Sequence, residues 1–131
     1  MFRSKSLVGT RLRIEYFDQN DSFAAFLPRL GTIVRQVTAE KRVKDWYLVE
    51  LDEPFEYQIQ NQNSFTFTLL NCEYFLIRPR WKGYKIGDEE PTSVFILLIK
   101  DFSLLNNEPI KVGQFYHVAW GMCHTEKNQE I

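Results

Sequence analysis

The stretch LGTIVRQVTAEKRVKDWYLVELDEPFEY, residues 30–57, decides the fold. Two runs rich in β-branched and aromatic residues, Gly31 to Val37 and Trp46 to Asp52, flank a charged connector that carries Glu40, Lys41, Arg42 and Lys44. A second connector, Asp52-Glu53-Pro54, is expected to fold the chain back into a further run, Phe55 to Gln60. Short alternating runs separated by polar turns are the signature of a β-meander. Side chains alternate across a strand, so Tyr47, Val49 and Leu51 are assigned to the inner face, and Trp46, Leu48 and Glu50 to the outer one.

The flanking sequence continues the pattern. From Thr10 to Tyr16, Leu12, Ile14 and Tyr16 alternate with Arg11, Arg13 and Glu15, which reads as a strand with one wet face. Asp18, Asn20, Asp21 and Ser22 then break the alternation. Ser22 to Leu27 suits a single helical turn before Pro28, with Phe23, Phe26 and Leu27 pinning the loop to the core. Beyond the polar turn Asn61-Gln62-Asn63, the run Ser64 to Leu70 places Phe65, Phe67 and Leu69 on one side. Asn71 is read as a turn into Cys72 to Ile77. Val94 to Ile99 is apolar at every position, as expected of a strand covered on both faces by its own barrel or by another subunit. Asn106 to Pro109 reads as a turn. Ile110 to Val112 and Phe115 to Trp120 are expected to close the fold, with Gly113 and Gly121 as breakers and a frayed polar end from Thr125.

Eight or so short strands with no helix-period pattern give an all-β class, a barrel or sandwich. The order strand, long loop, strand, charged hairpin, strand from Val8 to about Tyr57 resembles the start of an SH3-like barrel. Gly9 and Gly31 suit its tight corners. The expectation is a small SH3-like β-barrel elaborated with extra C-terminal strands and at most one or two short helical turns, residues 1–131 forming one domain. The Ala-Leu-Tyr-Asp-Tyr run of peptide-binding SH3 domains is absent, so the resemblance carries no binding residues.

Composition narrows the function classes. A chain of 131 residues buries roughly two-thirds of its unfolded surface and needs neither metal nor disulfide to fold. Aromatic residues make up 15% of it, with 11 Phe, 6 Tyr and 3 Trp, which favours strands and supplies contact surface. A net charge of −1 opposes wholesale attraction to nucleic acid or membranes. Two distant cysteines, Cys72 and Cys123, form no disulfide framework. With no secretory h-region after Met1 and no apolar run long enough to span a bilayer, a reducing cytoplasmic setting with free thiols is expected.

Three constellations bear on chemistry. Arg78-Pro79-Arg80-Trp81-Lys82-Gly83-Tyr84-Lys85 combines four cations with two aromatics, a mixture that can pair with acidic groups or stack on bases. Its blander reading is a solvated basic turn, charge-balanced by Asp88, Glu89 and Glu90. Glu50, Asp52, Glu53 and Glu56 form an acidic edge, but they lack the spacing of a calcium loop. His117, Cys123 and His124, with Cys72, are the residues available for zinc or for a Cys–His pair, but the Cys-x-x-Cys spacing is missing. Phosphate loops, nucleophile elbows and His-Glu-x-x-His zinc helices do not occur. The sequence therefore points to a non-catalytic protein-interaction or accessory module without metal or cofactor; a bacterial accessory or inhibitor-type protein fits it. Its contact residues are Trp46, Arg78, Arg80, Trp81, Lys82, Tyr84 and Lys85. The alternatives are a nucleic-acid-binding domain that adds Arg11 and Arg13 to that set, and a small-ligand barrel or enzyme with a deep cavity.

Overall fold

The computed structural model describes residues 7–16, 25–40, 43–60, 65–81, 83–87, 90–99, 102–106 and 108–126. Six strands, β1 (Arg11–Tyr16), β2 (Arg29–Ala39), β3 (Val43–Gln60), β4 (Phe67–Pro79), β5 (Thr92–Leu98) and β6 (Tyr116–Glu126), follow one another around a closed barrel. Every neighbouring pair is antiparallel. β1 and β6 complete the circle, running from Arg11 opposite Glu126 to Tyr16 opposite Gly121. Closure leaves no free edge around the ring. The all-β class and the closed small barrel are thus as expected. Among the described residues the only helical pieces are 3-10 turns, including Phe102–Asn106 and Val112–Gln114, and no helix is long and apolar enough to cross a membrane.

Several boundaries differ from the sequence reading, and Thr125, expected in a frayed end, pairs with Leu12 inside β6. Asp52-Glu53-Pro54 does not reverse the chain. Both Glu50 and Phe55 pair with β4, opposite Tyr74 and Cys72, so the intervening residues form a bulge in one long strand. Pro54 has no N–H for the ladder and is accommodated where pairing is already interrupted. Asn71 likewise lies inside β4, opposite Glu56, and the reversal occurs between Gln60 and Phe67. Gly121 continues β6 rather than ending it. A Cβ there would lie 2.5 Å from Ile96 Cδ1 and 2.8 Å from the Glu15 carbonyl oxygen. The missing side chain lets β6 fit between β1 and β5 where the barrel closes. Ile110, expected in a strand, makes only an isolated parallel bridge to Ala39.

The barrel interior is solid. Leu12, Ile14, Ile33, Val49, Phe75, Ile77, Val94, Ile96 and Leu98 pack there with both cysteines. Phe26 of the loop before β2 stacks on Phe55 at 4.7 Å between centroids, so this loop is pinned to the core as expected. Phe23 lies outside the described residues.

A second apolar core lies outside the barrel. A one-residue bulge near Val34 shifts the β2–β3 register between Ile33 and Arg35. It reverses the facing of the residues that follow, so Val37 and Ala39 leave the interior side and join Trp46, Leu48, Leu76 and Leu97 on the outer wall. Leu105, Ile110 and Phe115, from the strap between β5 and β6, complete this cluster. The strap is bonded in place: Ile110 N–H donates to Thr38 O at 2.9 Å, Glu40 N–H to Ile110 O at 3.1 Å, and Arg35 to Leu105 O at 2.8 Å. The apolar run of β5 is thus covered on both faces by its own chain. The outer face of the β3–β4 arm is not: Phe67 and Leu69, which share one side as expected, are exposed, and Phe65 is 98% exposed.

Crowding at Gly121 gives a direct check. Gly121→Ala is expected to destabilise the barrel by roughly 1–3 kcal/mol through overpacking against backbone. Gly113→Ala, whose Cβ meets nothing within 4 Å, is expected to stay within about 0.5 kcal/mol of the parent. Urea unfolding of the two variants measures the contrast.

Candidate functional site

The basic-aromatic segment begins inside β4. Arg78 stands opposite Phe95 and Pro79 opposite Val94, and Arg80 N–H donates to Ser93 O at 2.8 Å. Ile77 and Pro79 are buried, and the alternation that turns Ile77 into the barrel interior sends Arg78 and Arg80 out onto the wall. Beyond Arg80 the chain bends: Tyr84 N–H donates to Trp81 O at 3.2 Å, and Gly83 takes φ 88°, a conformation glycine adopts without cost. Buried Ile86 then anchors the bend to the barrel core. Pro79 and Gly83 thus shape a ridge after β4 ends.

On the wall, cations and rings from four adjacent strands alternate. The Arg78 guanidinium carbon lies 5.5 Å from the Trp46 ring centroid and 5.0 Å from that of Phe95. Phe95 packs on Trp120 at 3.9 Å. Arg80 lies 4.0 Å from Trp120 and 4.8 Å from Trp81, and Trp81 meets Tyr84 at 5.8 Å. The row Trp46, Arg78, Phe95, Trp120, Arg80, Trp81, Tyr84 runs from buried to open. Trp46 is 4% exposed, Trp81 51% and Tyr84 44%. Such cation–π contacts are worth about 0.5–2 kcal/mol each, more where the cation is desolvated. They hold the guanidinium faces and leave the in-plane N–H donors for a partner.

Among the described residues no carboxylate forms an ion pair with this row. Glu90, the acidic neighbour in sequence, instead accepts from the Thr125 N–H at 3.1 Å and from its hydroxyl. Asp88 and Glu89 lie outside the described residues. Elsewhere the pairing is regular. Arg11 donates to both oxygens of Asp52 at 2.6 and 2.5 Å, Arg13 meets Glu15 and Glu126, and Arg35 meets Glu108. Among the described residues neither Arg78 nor Arg80 has an ion-pair partner, and Arg78 Nε is buried without a hydrogen-bond acceptor.

A pocket of about 570 Å³ opens beside Arg78. Trp46, Phe95 and Leu97 form its wall on the barrel, and Val112, Gly113 and Phe115 of the strap face them. Glu40 sits at its edge with its carboxylate accepting the Val112 N–H at 3.1 Å, which fixes the strap turn. Trp46, expected as an exposed anchor, is therefore a buried pocket wall. The bulge in β2 and the strap, neither legible in a local pattern, are what cover it. Lys85 is exposed on the ridge, and Lys82 lies outside the described residues. Phe95, Trp120 and the strap residues went unnoticed in the sequence because only cross-strand register brings them to Arg78 and Arg80. A lone Trp in the closing strand is the one signal that could have marked Trp120.

Among the described residues the other constellations are not assembled into sites. Asp52 of the acidic edge is held below the usual carboxylate range by its hydrogen bonds from Arg11, and Glu50 accepts from the Tyr74 hydroxyl at 3.3 Å. The described residues contain no cluster of three metal-ligating side chains. Cys72 and Cys123 are free and buried in the barrel interior. His124, next to Cys123, instead meets Glu15 on the outside at 3.3 Å, as strand alternation requires. The side chain of His117 lies outside the described ones.

Burial pushes both thiols from an ordinary value of 9.0 up to about 12, so they are protonated at neutral pH and poor nucleophiles. Native protein at about pH 8 is expected to resist Ellman's reagent, with both thiols reacting once guanidinium unfolds it. A folded-state pKa raised above the unfolded value confers stability that is complete below pH 9.0 and is lost as pH rises toward 12. Replacing both cysteines with Ala is therefore expected to flatten the alkaline fall in the urea midpoint. Fast labelling of either thiol in the native protein contradicts this.

Family models, curated proteins and solved structures give no match to this chain, so its functional reading rests on the geometry of the row and the pocket.

Proposed function

We propose that this chain is a non-catalytic protein-binding module whose contact surface is the ridge Arg80, Trp81 and Tyr84, with Lys85 at its rim, and whose partner presents an acidic patch. One observation carries the reading: Arg80 is held between Trp120 and Trp81, with no carboxylate partner among the described residues and next to two half-exposed aromatic rings. Trp, Tyr and Arg dominate interface energetics because they bury large area at low rotamer cost and make charge-assisted bonds. A guanidinium already oriented by two rings loses little further freedom on binding.

The nucleic-acid alternative draws on the same cations and rings. It is weakened by Arg11 and Arg13, whose charges are taken up by Asp52, Glu15 and Glu126, so they do not extend the ridge into a basic track.

A random peptide library panned on the protein is expected to yield acidic ligands. Trp81→Ala should weaken them by about 2 kcal/mol, the scale of an interface hot spot, with the urea midpoint unchanged. Arg80→Glu should abolish them. Tight, steeply salt-dependent binding of single-stranded oligonucleotides, lost in Arg80→Glu while no acidic peptide is selected, would transfer the surface to nucleic acid.

A further inference from the structure

We infer that the pocket between the barrel wall and the Val112–Gln114 turn binds a small organic monoanion with an apolar, ring-sized body, its oxyanion held by Arg78. Its volume of about 570 Å³ falls within the usual range for small-molecule sites, roughly 300–1,000 Å³. Its composition is of the same kind: apolar and aromatic walls with very few polar groups, one of them a cation.

Arg78 supplies the specific element. Rings of Trp46 and Phe95 flank its guanidinium, so only its in-plane donors are open to an acceptor. Arg13 and Arg29 also have a buried Nε without an acceptor. Those two are nonetheless engaged through other contacts: Arg13 with Glu15 and Glu126, and Arg29 through Nη1 with the Glu53 carbonyl. Arg78 has neither kind of partner among the described residues. A guanidinium without a carboxylate partner leaves its Nη donors to form charge-assisted bonds with a carboxylate or sulfonate lying edge-on to it. Glu40 sets the charge limit. The pocket carries one guanidinium and one carboxylate, and the carboxylate is already directed to Val112 N–H, so a second negative charge on the ligand is disfavoured.

This inference stands apart from the protein-binding reading, which rests on Arg80, Trp81 and Tyr84. Fluorescence titration with two dyes tests it. Anilinonaphthalene sulfonate carries the ring body and one negative charge, whereas phenylnaphthylamine has the same rings without the charge. The intact protein is expected to bind one molecule of the sulfonate saturably. Arg78→Met should weaken it by at least about tenfold and the neutral dye by less than about threefold, because only the charged dye loses a charge-assisted bond. Gly113→Trp, at a position where a Cβ meets nothing within 4 Å, should fill the pocket and abolish both without lowering the unfolding midpoint. Trp81→Ala should leave both dyes unaffected. The inference is overturned by absence of saturable sulfonate binding, by equal losses of the two dyes in Arg78→Met, or by unchanged binding in folded Gly113→Trp. Should Arg78→Met not fold, Gly113→Trp together with the preference of the intact protein for the charged dye decides the matter.

Discussion

The wall made by β3, β4 and β5 is apolar on both faces, and the rest of the structure depends on covering it twice. The barrel interior takes Val49, Phe75, Ile77, Val94, Ile96 and Leu98. That leaves Trp46, Leu48, Leu76 and Leu97 facing out, a patch that would be costly in water. The chain solves this with its own strap, which lays Leu105, Ile110 and Phe115 over the patch and ties itself to the end of β2 by paired backbone bonds at Ile110. The bulge near Val34 is part of the same solution, since it turns Val37 and Ala39 outward to meet the strap.

The site follows from where that cover ends. The strap packs on the wall over Leu48 and Leu76 but stands off from Trp46 and Phe95 where Val112 and Gly113 face them, and the space left between is the pocket. Arg78 and Arg80 emerge from β4 at this margin, where a guanidinium can lie on aromatic faces while its edges reach outward. Strands supply Trp46, Arg78, Phe95 and Trp120, and Arg80 follows the end of β4 with its N–H bonded to Ser93 O, so the spacing of these groups is preorganised. Only Trp81 and Tyr84 stand on a bend, and Ile86 and Gly83 hold that bend.

Local signals in the sequence were enough for the class and much of the strand pattern. Alternation in Arg11–Tyr16, the wholly apolar run of β5 and the charged hairpin from β2 to β3 are each legible in a few consecutive residues. The run Arg78 to Lys85 also declared itself by composition. The misreadings have two physical causes. Alternation does not show a bulge, which is set by pairing rather than by propensity, and so Asp52-Glu53-Pro54 reads as a turn. Nor does it show what packs on an outer face, and so Trp46, placed on that face, reads as an exposed anchor although the strap covers it. Glycine was ambiguous for a similar reason. Gly121 looks like a breaker until the proximity of Ile96 and the Glu15 carbonyl shows that it is there to let strands close. Phe95 and Trp120 joined the site through register alone, which no single stretch of sequence contains.

Fixation of the strap on the outer wall is the condition for both the buried Trp46 and the pocket beside Arg78. Native-state hydrogen exchange of the Ile110 and Glu40 amides reads it directly, since Ile110 N–H donates to Thr38 O and Glu40 N–H to Ile110 O. Exchange slowed at least about a hundredfold relative to an unprotected amide, alongside the barrel strands, is the predicted result. Exchange of both amides at the rate of free peptide, while Ile33 and Val49 stay protected, would show a strap detached from the wall and would contradict the account.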